Sequence, residues 1–181
     1  LVSLPYLNFG GVAAESPEVA AALLDQAVAL AERLDVKHLE LRHETETAHP
    51  ALTEKLLSKV HMRLALPARS DELWEGFDAK VRNQVRKGER LALTVHWGGA
   101  ELLREFYAVF SRNMRDLGTP VFGQRLFASI LWQFPGRSEL CVVRCDGQPI
   151  AAAVVTHGPG MTEVPSASSL RPYNSTNANM L

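Results

Sequence analysis

This 181-residue sequence has few cysteines, almost no net charge and no long apolar runs. Its two cysteines, Cys141 and Cys145, lie in one apolar run without the spacing of a structural disulfide, so we expect a reducing compartment. A net charge of −1 argues against a general nucleic-acid binder, although it permits a local anion site. No apolar stretch reaches the roughly 18 residues of a membrane helix. The 46% hydrophobic content is typical of a globular protein and excludes a disordered chain.

Both ends of the sequence interrupt predicted elements. Residues 1–9 already predict a buried strand, and residues 177–181 begin a new helical pattern. A helix of so few residues is not stable by itself. We therefore expect the chain to be an internal part of a longer protein.

Residues 1–43 predict a strand–helix–strand unit. Ser16, Pro17 and Glu18 form a helix start, because they supply an N-cap, a proline at the first helical position and an acid in the first turn. A short strand is predicted for residues 36–43. Residues 44–60 are polar and irregular, which indicates a linker with one short helix over residues 52–57.

Residues 61–181 predict an α+β domain with an antiparallel meander. A strand over residues 62–66 leads to a helix that Ser70 caps, and this helix continues past Val85 towards Gly88. A strand over 91–97 and two helices over 100–117 and 124–134 follow. Three strands come last, over 140–145, 150–157 and 161–168, with Asp146-Gly147 as a hairpin turn. Three tryptophans are predicted to lie in the core: Trp74, Trp97 and Trp132.

The stretch KVRNQVRKGER, residues 80–90, carries five basic residues and one acid. At 100° per residue, one helical stripe holds Lys80, Asn83, Lys87 and Arg90, and a second holds Arg82 and Arg86. One interpretation is a solvated face that complements the helix dipole. The other is a patch for phosphate or carboxylate, whose geometry matches the donors of arginine.

A second candidate stretch, residues 166–179, joins the last strand to a predicted helix. Arg171 and Tyr173 precede Asn174, which is a good N-cap, and a helix N-terminus offers free N–H groups to an anion. The alternative is an ordinary capped loop.

No residues with metal-ligand spacing occur, so no metal site is predicted. His157 is a weaker candidate, as a base or a capping histidine, and so is Glu163 within the meander. No catalytic residue is assigned.

Three segments of the sequence carry a resemblance to a known family. These segments resemble the FemAB-like family. They are LWEGF at 73–77 together with the K-x-R-N-x-x-R-K helix at 80–87, RNMRDLGTP at 112–120, and PYLNFGG at 5–11. The chain is similar to the branch associated with exosortase/PEP-CTERM exopolysaccharide loci, over nearly its whole length.

The resemblance implies two tandem GNAT-like domains with mixed sheets. Residues 1–43 would be the end of a first domain, 44–60 a linker and 61–181 a second domain truncated at its C-terminus. Substrate binding is then expected on the basic helix and on the segment after the last strand, at Lys80, Arg82, Asn83, Arg86, Lys87, Arg171, Tyr173 and Asn174.

The activity implied is acyl or aminoacyl transfer to an amine in cell-envelope or exopolysaccharide synthesis. The candidate donors are aminoacyl-tRNA and acetyl-CoA, and the acceptor would be a small molecule or a glycan or peptide precursor. Residues 170–175 stand where CoA-dependent relatives carry a glycine-rich loop. Two alternatives stay open: an acetyl-CoA-dependent N-acetyltransferase, and a non-enzymatic module that binds an anion or tRNA. The expected location is the cytoplasm, with the inner membrane surface as an alternative.

Overall fold

The computed structural model describes residues 9–58 and 60–181. The chain divides into two compact units, residues 1–65 and 66–181. The strand predicted for residues 1–9 lies outside the described residues except at its last position, so it stays a prediction. Within the described ranges, no helix combines the length and apolar character that a membrane span needs.

The first unit contains one long helix, α1 (Pro17–Arg33), which begins as predicted. The hydroxyl of Ser16 accepts a hydrogen bond from the backbone N–H of Val19 at 3.3 Å, and Pro17 occupies the first helical position. Leu24 is buried on its apolar side. His49 Nε2 and Asp25 Oδ1, 3.1 Å apart, tie the irregular segment after residue 44 to α1.

Three predictions for residues 36–66 are wrong. Residues 36–43 form no strand and contribute only an isolated antiparallel bridge between Gly10 and Arg42. Residues 52–57 are not helical. Residues 62–66 pair with no described strand, and Met62, Leu64 and Leu66 are 89%, 62% and 68% exposed. Alternating apolar residues indicate a strand face, but a strand forms only where a neighbour binds its backbone groups.

The single helix predicted from Ser70 onward is two helices, α2 (Ser70–Gly76) and α3 (Ala79–Arg90). Ser70 is the first residue of α2 rather than its N-cap. The N-cap is Arg69, whose side chain makes no capping hydrogen bond. The backbone is extended at Phe77, where ψ is 143°. Gly76, a poor helix former, directly precedes this break.

The second unit is built on a four-stranded sheet. Its strands are β1 (Leu93–Gly98), β2 (Ser138–Cys145), β3 (Gln148–Gly158) and β4 (Met161–Ser169), in the spatial order β1-β2-β3-β4. All pairings are antiparallel, which confirms the meander. The parallel pairing of a mixed sheet is therefore not present among the described strands. Asp146 and Gly147 form the predicted hairpin turn, with φ of 49° and 78°.

Two helices between β1 and β2 cover one face of this sheet. They are α4 (Leu103–Asp116) and α5 (Gln124–Gln133), both close to their predicted bounds. Phe106, Phe110 and Phe127 pack together at the centre, and the Phe106 and Phe127 ring centroids lie 4.8 Å apart. A smaller buried cluster contains Val143, Ile150, Ala151 and Ala178.

The prediction that all three tryptophans are core residues is wrong for two of them. Trp97 is 56% exposed because it shares a sheet face with its partner Cys141, whereas the alternate residues Leu140 and Val142 face the core under α4 and α5. Trp132 is 77% exposed, since α5 turns Phe127 and Ile130 towards the core and leaves Trp132 on the other side. Trp74 is half-buried.

The chain continues after β4 in two short 3₁₀ turns rather than the predicted α-helix. They span Arg171–Thr176 and Ala178–Met180. Asn177 separates them in the left-handed region, with φ of 56°. Asn174 therefore lies inside a 3₁₀ turn and is not a helix N-cap.

Candidate functional site

The two stretches that the sequence singled out lie against each other in the second unit. The side-chain amide of Asn177 donates a long hydrogen bond, 3.5 Å, to the carbonyl of Gln84 on α3. Gly88 is buried, and a Cβ atom at that position would lie 3.1 Å from Cγ of Leu181. We call this contact between α3 and the 3₁₀ turns the α3 junction.

The solvent side of α3 is cationic. Viewed down the helix, a continuous arc of about 120° holds four cations and one amide at 100° per residue, namely Lys80, Asn83, Arg86, Lys87 and Arg90. All of them are exposed, and no ion pair joins these cations to an acid within the described part of the chain. Val81 and Val85 lie on the opposite, half-buried side.

The helix dipole accounts for only one end of this cationic face. Lys87 and Arg90 lie in the last turn, where a positive charge is favourable. Lys80 lies in the first turn, where the same dipole disfavours a cation, and the acid next to it is Asp78 at the N-cap. The dipole therefore accounts for Asp78, Lys87 and Arg90, but not for Lys80.

Arg82 has a structural contact that the sequence did not indicate. Its Nη1 atom donates to the carbonyl of Glu75 at 3.0 Å and to that of Phe77 at 2.6 Å. These carbonyls lie at the end of α2, where helical acceptors lack helical partners. Arg82 thus closes the break between α2 and α3, and its predicted contact with a substrate stays a prediction.

Arg86 lies over an aromatic ring. Its Cζ atom is 5.4 Å from the centroid of Trp74, within the range of a cation–π contact. Trp74 in turn makes an edge contact with Phe77, with centroids 6.5 Å apart and an interplanar angle of 80°. The three side chains join α2, the break and α3.

The predicted residues of the segment after β4 differ in exposure. Arg171 and Asn174 are exposed, whereas Tyr173 is half-buried and its hydroxyl donates to Oε1 of Gln148 at 3.0 Å. The carbonyl of Asn174 accepts the backbone N–H of Asn177 at 3.3 Å. Because no α-helix begins here, the helix N-terminus expected to bind an anion is absent from the described residues. Arg171 remains as an exposed cation.

Two features of β4 were not predicted. Ser168, a buried polar residue, accepts a hydrogen bond from Nδ2 of Asn113 on α4 at 3.2 Å. Asn113 follows Phe106 and Phe110 at helical spacing, and this spacing could have indicated that it faces the core. The β3–β4 register also shifts next to Val155, so that β4 has one extra residue there, within the stretch that contains Pro165.

His157 lies away from the α3 junction. Its Nδ1 and Nε2 atoms are 2.9 Å from Oγ1 of Thr162 and 3.0 Å from Oε1 of Glu139, beside a small cavity of about 130 Å³. Gln148, which contacts Tyr173, is at the opposite end of β3, roughly 30 Å along the strand. His157 is therefore not a base for chemistry at the junction. No cluster of three metal-ligating side chains occurs in the described ranges.

Comparison with known families bears on this same region. The family model for the acetyltransferase (GNAT) domain matches residues 77–181, which is more than half of the chain. The chain belongs to this family. No curated protein matches the sequence. The matched GNAT domain contains α3, the whole sheet, α4, α5 and both 3₁₀ turns, so the α3 junction lies within it.

Membership confirms the GNAT-like α+β fold expected from the sequence. It also establishes the acyltransferase class: an acyl donor and a small-molecule acceptor meet on a GNAT domain.

Proposed function

We propose that this GNAT protein transfers an acyl or aminoacyl group to an amine of an anionic precursor in cell-envelope or exopolysaccharide synthesis. The observation that carries the proposal is the cationic face of α3, which lies beside the chain leaving β4 within the matched domain. A glycan or peptide precursor that carries phosphate would bind to these cations. The resemblance to FemAB-like proteins supports a reaction in the cytoplasm or at the inner membrane surface.

Acyl transfer to an amine has three requirements that the site must meet. The acceptor amine must lose a proton as it attacks the acyl carbonyl, the developing oxyanion needs hydrogen-bond donors, and the two reactants must be held together. The exposed donors of Lys80, Arg86 and Lys87 suit the third task, because they match phosphate oxygens. Arg82, Asn83, Arg171, Tyr173 and Asn174 complete the proposed binding surface.

The choice of donor depends on the segment that follows β4. Residues 161–181 contain no glycine, and Pro172 lacks a backbone N–H. A glycine-rich loop is what lets successive backbone N–H groups approach a pyrophosphate. The absence of glycine from residues 161–181 favours aminoacyl-tRNA over acetyl-CoA as the donor.

Two other functions have an observation in their favour. The description of the matched family favours an acetyl-CoA-dependent N-acetyltransferase. The exposed cations of α3 favour a non-enzymatic module that binds an anion or tRNA. We further propose that residues 1–43 are the end of a first GNAT-like domain and that residues 44–60 link it to a second GNAT-like domain at 61–181.

The deciding experiment is a calorimetric titration of acetyl-CoA into the full chain, run beside a transfer assay with labelled aminoacyl-tRNA. We expect no binding at millimolar acetyl-CoA and measurable aminoacyl transfer. Saturable micromolar binding of acetyl-CoA would support the N-acetyltransferase instead. RNA binding that falls steeply with salt, without turnover from either donor, would support the binding module.

A matched pair of variants tests the role of α3 in that assay. Lys80→Gln combined with Lys87→Gln should lower kcat/KM about tenfold, which corresponds to roughly 1.4 kcal/mol. Arg104→Gln combined with Arg125→Gln, which removes two exposed cations from α4 and α5, should leave it unchanged. Equal effects of the two changes would show that general charge, rather than the α3 face, controls activity.

A further inference from the structure

Trp74 lies where α2 folds back against α3, and it belongs to neither buried cluster of the second unit. We propose that Trp74 is a positioning residue that holds the guanidinium of Arg86 in a fixed orientation on the cationic face of α3. The inference rests on the proposed function, because its purpose is the binding of a phosphate group by Arg86.

The contact between these two residues requires the break in the helix. Trp74 and Arg86 come from different helices and meet only because the chain turns at Phe77. Arg82 holds that turn through its hydrogen bonds to the carbonyls of Glu75 and Phe77. The ring of Trp74 is further held by the edge of Phe77. Arg82 and Phe77 therefore support the ring on which Arg86 lies.

Contact with a ring changes what an exposed arginine can do. A free arginine side chain samples many rotamers and loses that freedom when it binds a ligand. A guanidinium that lies over an indole ring keeps its N–H donors, which point outwards in its own plane. Arg86 is thus ordered before a ligand arrives while its donors remain available to phosphate oxygens.

The test combines ligand binding with a direct measurement of Arg86. Inorganic pyrophosphate is titrated by calorimetry into the full chain and into the variants Trp74→Leu, Trp74→Phe, Arg86→Gln and the double variant Trp74→Leu/Arg86→Gln. We expect Trp74→Leu to weaken binding about fivefold and Trp74→Phe, which retains an aromatic face, to stay within about twofold. In the Arg86→Gln background, Trp74→Leu should have no further effect, since its contribution acts through Arg86.

Nuclear magnetic resonance supplies the second measurement. The Hε resonance of Arg86 should be shifted upfield by the indole ring in the wild type and should return to the ordinary arginine position in Trp74→Leu. Trp132→Leu, which removes an exposed tryptophan from α5, is the matched control and should change neither measurement.

The two measurements separate the possible failures. An Arg86 resonance that Trp74→Leu does not move, or a loss of pyrophosphate affinity that persists in the Arg86→Gln background, would overturn the positioning role. Wild-type pyrophosphate affinity in Arg86→Gln, with the upfield shift present in the wild type, would instead refute the phosphate site of the proposed function and leave the Trp74–Arg86 contact established.

Discussion

Glu105 on α4 and Arg144 on β2 form a two-point ion pair. The carboxylate accepts hydrogen bonds of 2.7 Å and 2.9 Å from Nε and Nη2 of the guanidinium. The Arg144 hydrogen bonds hold the pKa of Glu105 below its ordinary value, and the charge of His96 acts in the same direction. Because the pKa is lower in the folded state, the pair stabilises the fold above the ordinary carboxyl pKa and loses this contribution as pH falls through the lowered pKa.

The lowered pKa of Glu105 predicts how the stability of a Glu105→Gln variant depends on pH. The variant should be less stable than the wild type at pH 7, and that difference should shrink as the pH falls below the ordinary carboxyl pKa and through the lowered pKa of Glu105. Urea denaturation at pH 7, 5 and 3 measures it. Glu75→Gln, at an exposed carboxylate outside the first turn of α2, is the control for the substitution itself. A difference between wild type and Glu105→Gln that stays constant with pH would contradict the assigned role.

Phe106 is the central residue of the core, with no exposed surface. Its ring lies 4.8 Å from that of Phe127 and 5.7 Å from that of Phe110. Phe106→Ala should lower the free energy of unfolding by about 3–5 kcal/mol, because it removes buried surface and leaves a cavity. Phe134→Ala, at a ring that is 54% exposed, should cost much less. Guanidinium denaturation of both variants provides the comparison.

Among the elements, α3 depends on a glycine for its contact with the 3₁₀ turns. A side chain at Gly88 meets Leu181 at 3.1–3.3 Å. Gly88→Val should therefore destabilise the second unit by about 1–3 kcal/mol through overpacking. Gly76→Val in α2 is the matched control, since no atom lies within 4 Å of its added Cβ, and it should cost much less than Gly88→Val. Urea midpoints that fall equally for both variants would disprove close packing at Gly88.

The elements with long, regular patterns could be predicted from the sequence. In α1, α4 and α5 the apolar residues repeat at helical spacing, and β2 to β4 are separated by recognisable turns such as Asp146-Gly147. The strands predicted at 36–43 and 62–66 could not be judged in this way, because pairing depends on a partner that the local pattern does not contain. The break between α2 and α3 was missed for a related reason: it depends on Arg82, a residue beyond the break.

The candidate site was predictable only in part. The charge pattern of residues 80–90 identified the cations, and the structure shows that the stretch after β4 lies beside them. The contact of Trp74 with Arg86 and that of Asn113 with Ser168 join residues of different elements. Neither pair has a periodic signal of its own, so the sequence pattern does not predict these contacts.

At the scale of the whole molecule, the boundary between the units lies in an exposed segment. Leu56, Leu57 and Val60 are between 76% and 82% exposed, and residues 52–58 and 60–68 have no regular secondary structure other than bends. Such segments are preferred sites of proteolysis. Limited trypsin digestion should therefore cut first after Lys55, Arg63 or Arg69, and mass spectrometry of the first fragments checks this. First cleavage at Arg104 or Arg112, within α4, would contradict the division at residue 65.

The order of strands in the sheet also has a consequence for how the chain acquires its structure. Because β2, β3 and β4 follow one another in space as they do in sequence, each pairing can form as soon as the next strand has been synthesised. The pairing of β1 with β2 is different, since it must close the long excursion through α4 and α5, at an entropic cost that rises with loop length. During synthesis on the ribosome, the hairpins of β2 to β4 can therefore form one hydrogen-bonded pair at a time. β1 can pair with β2 only after α4 and α5 have been synthesised.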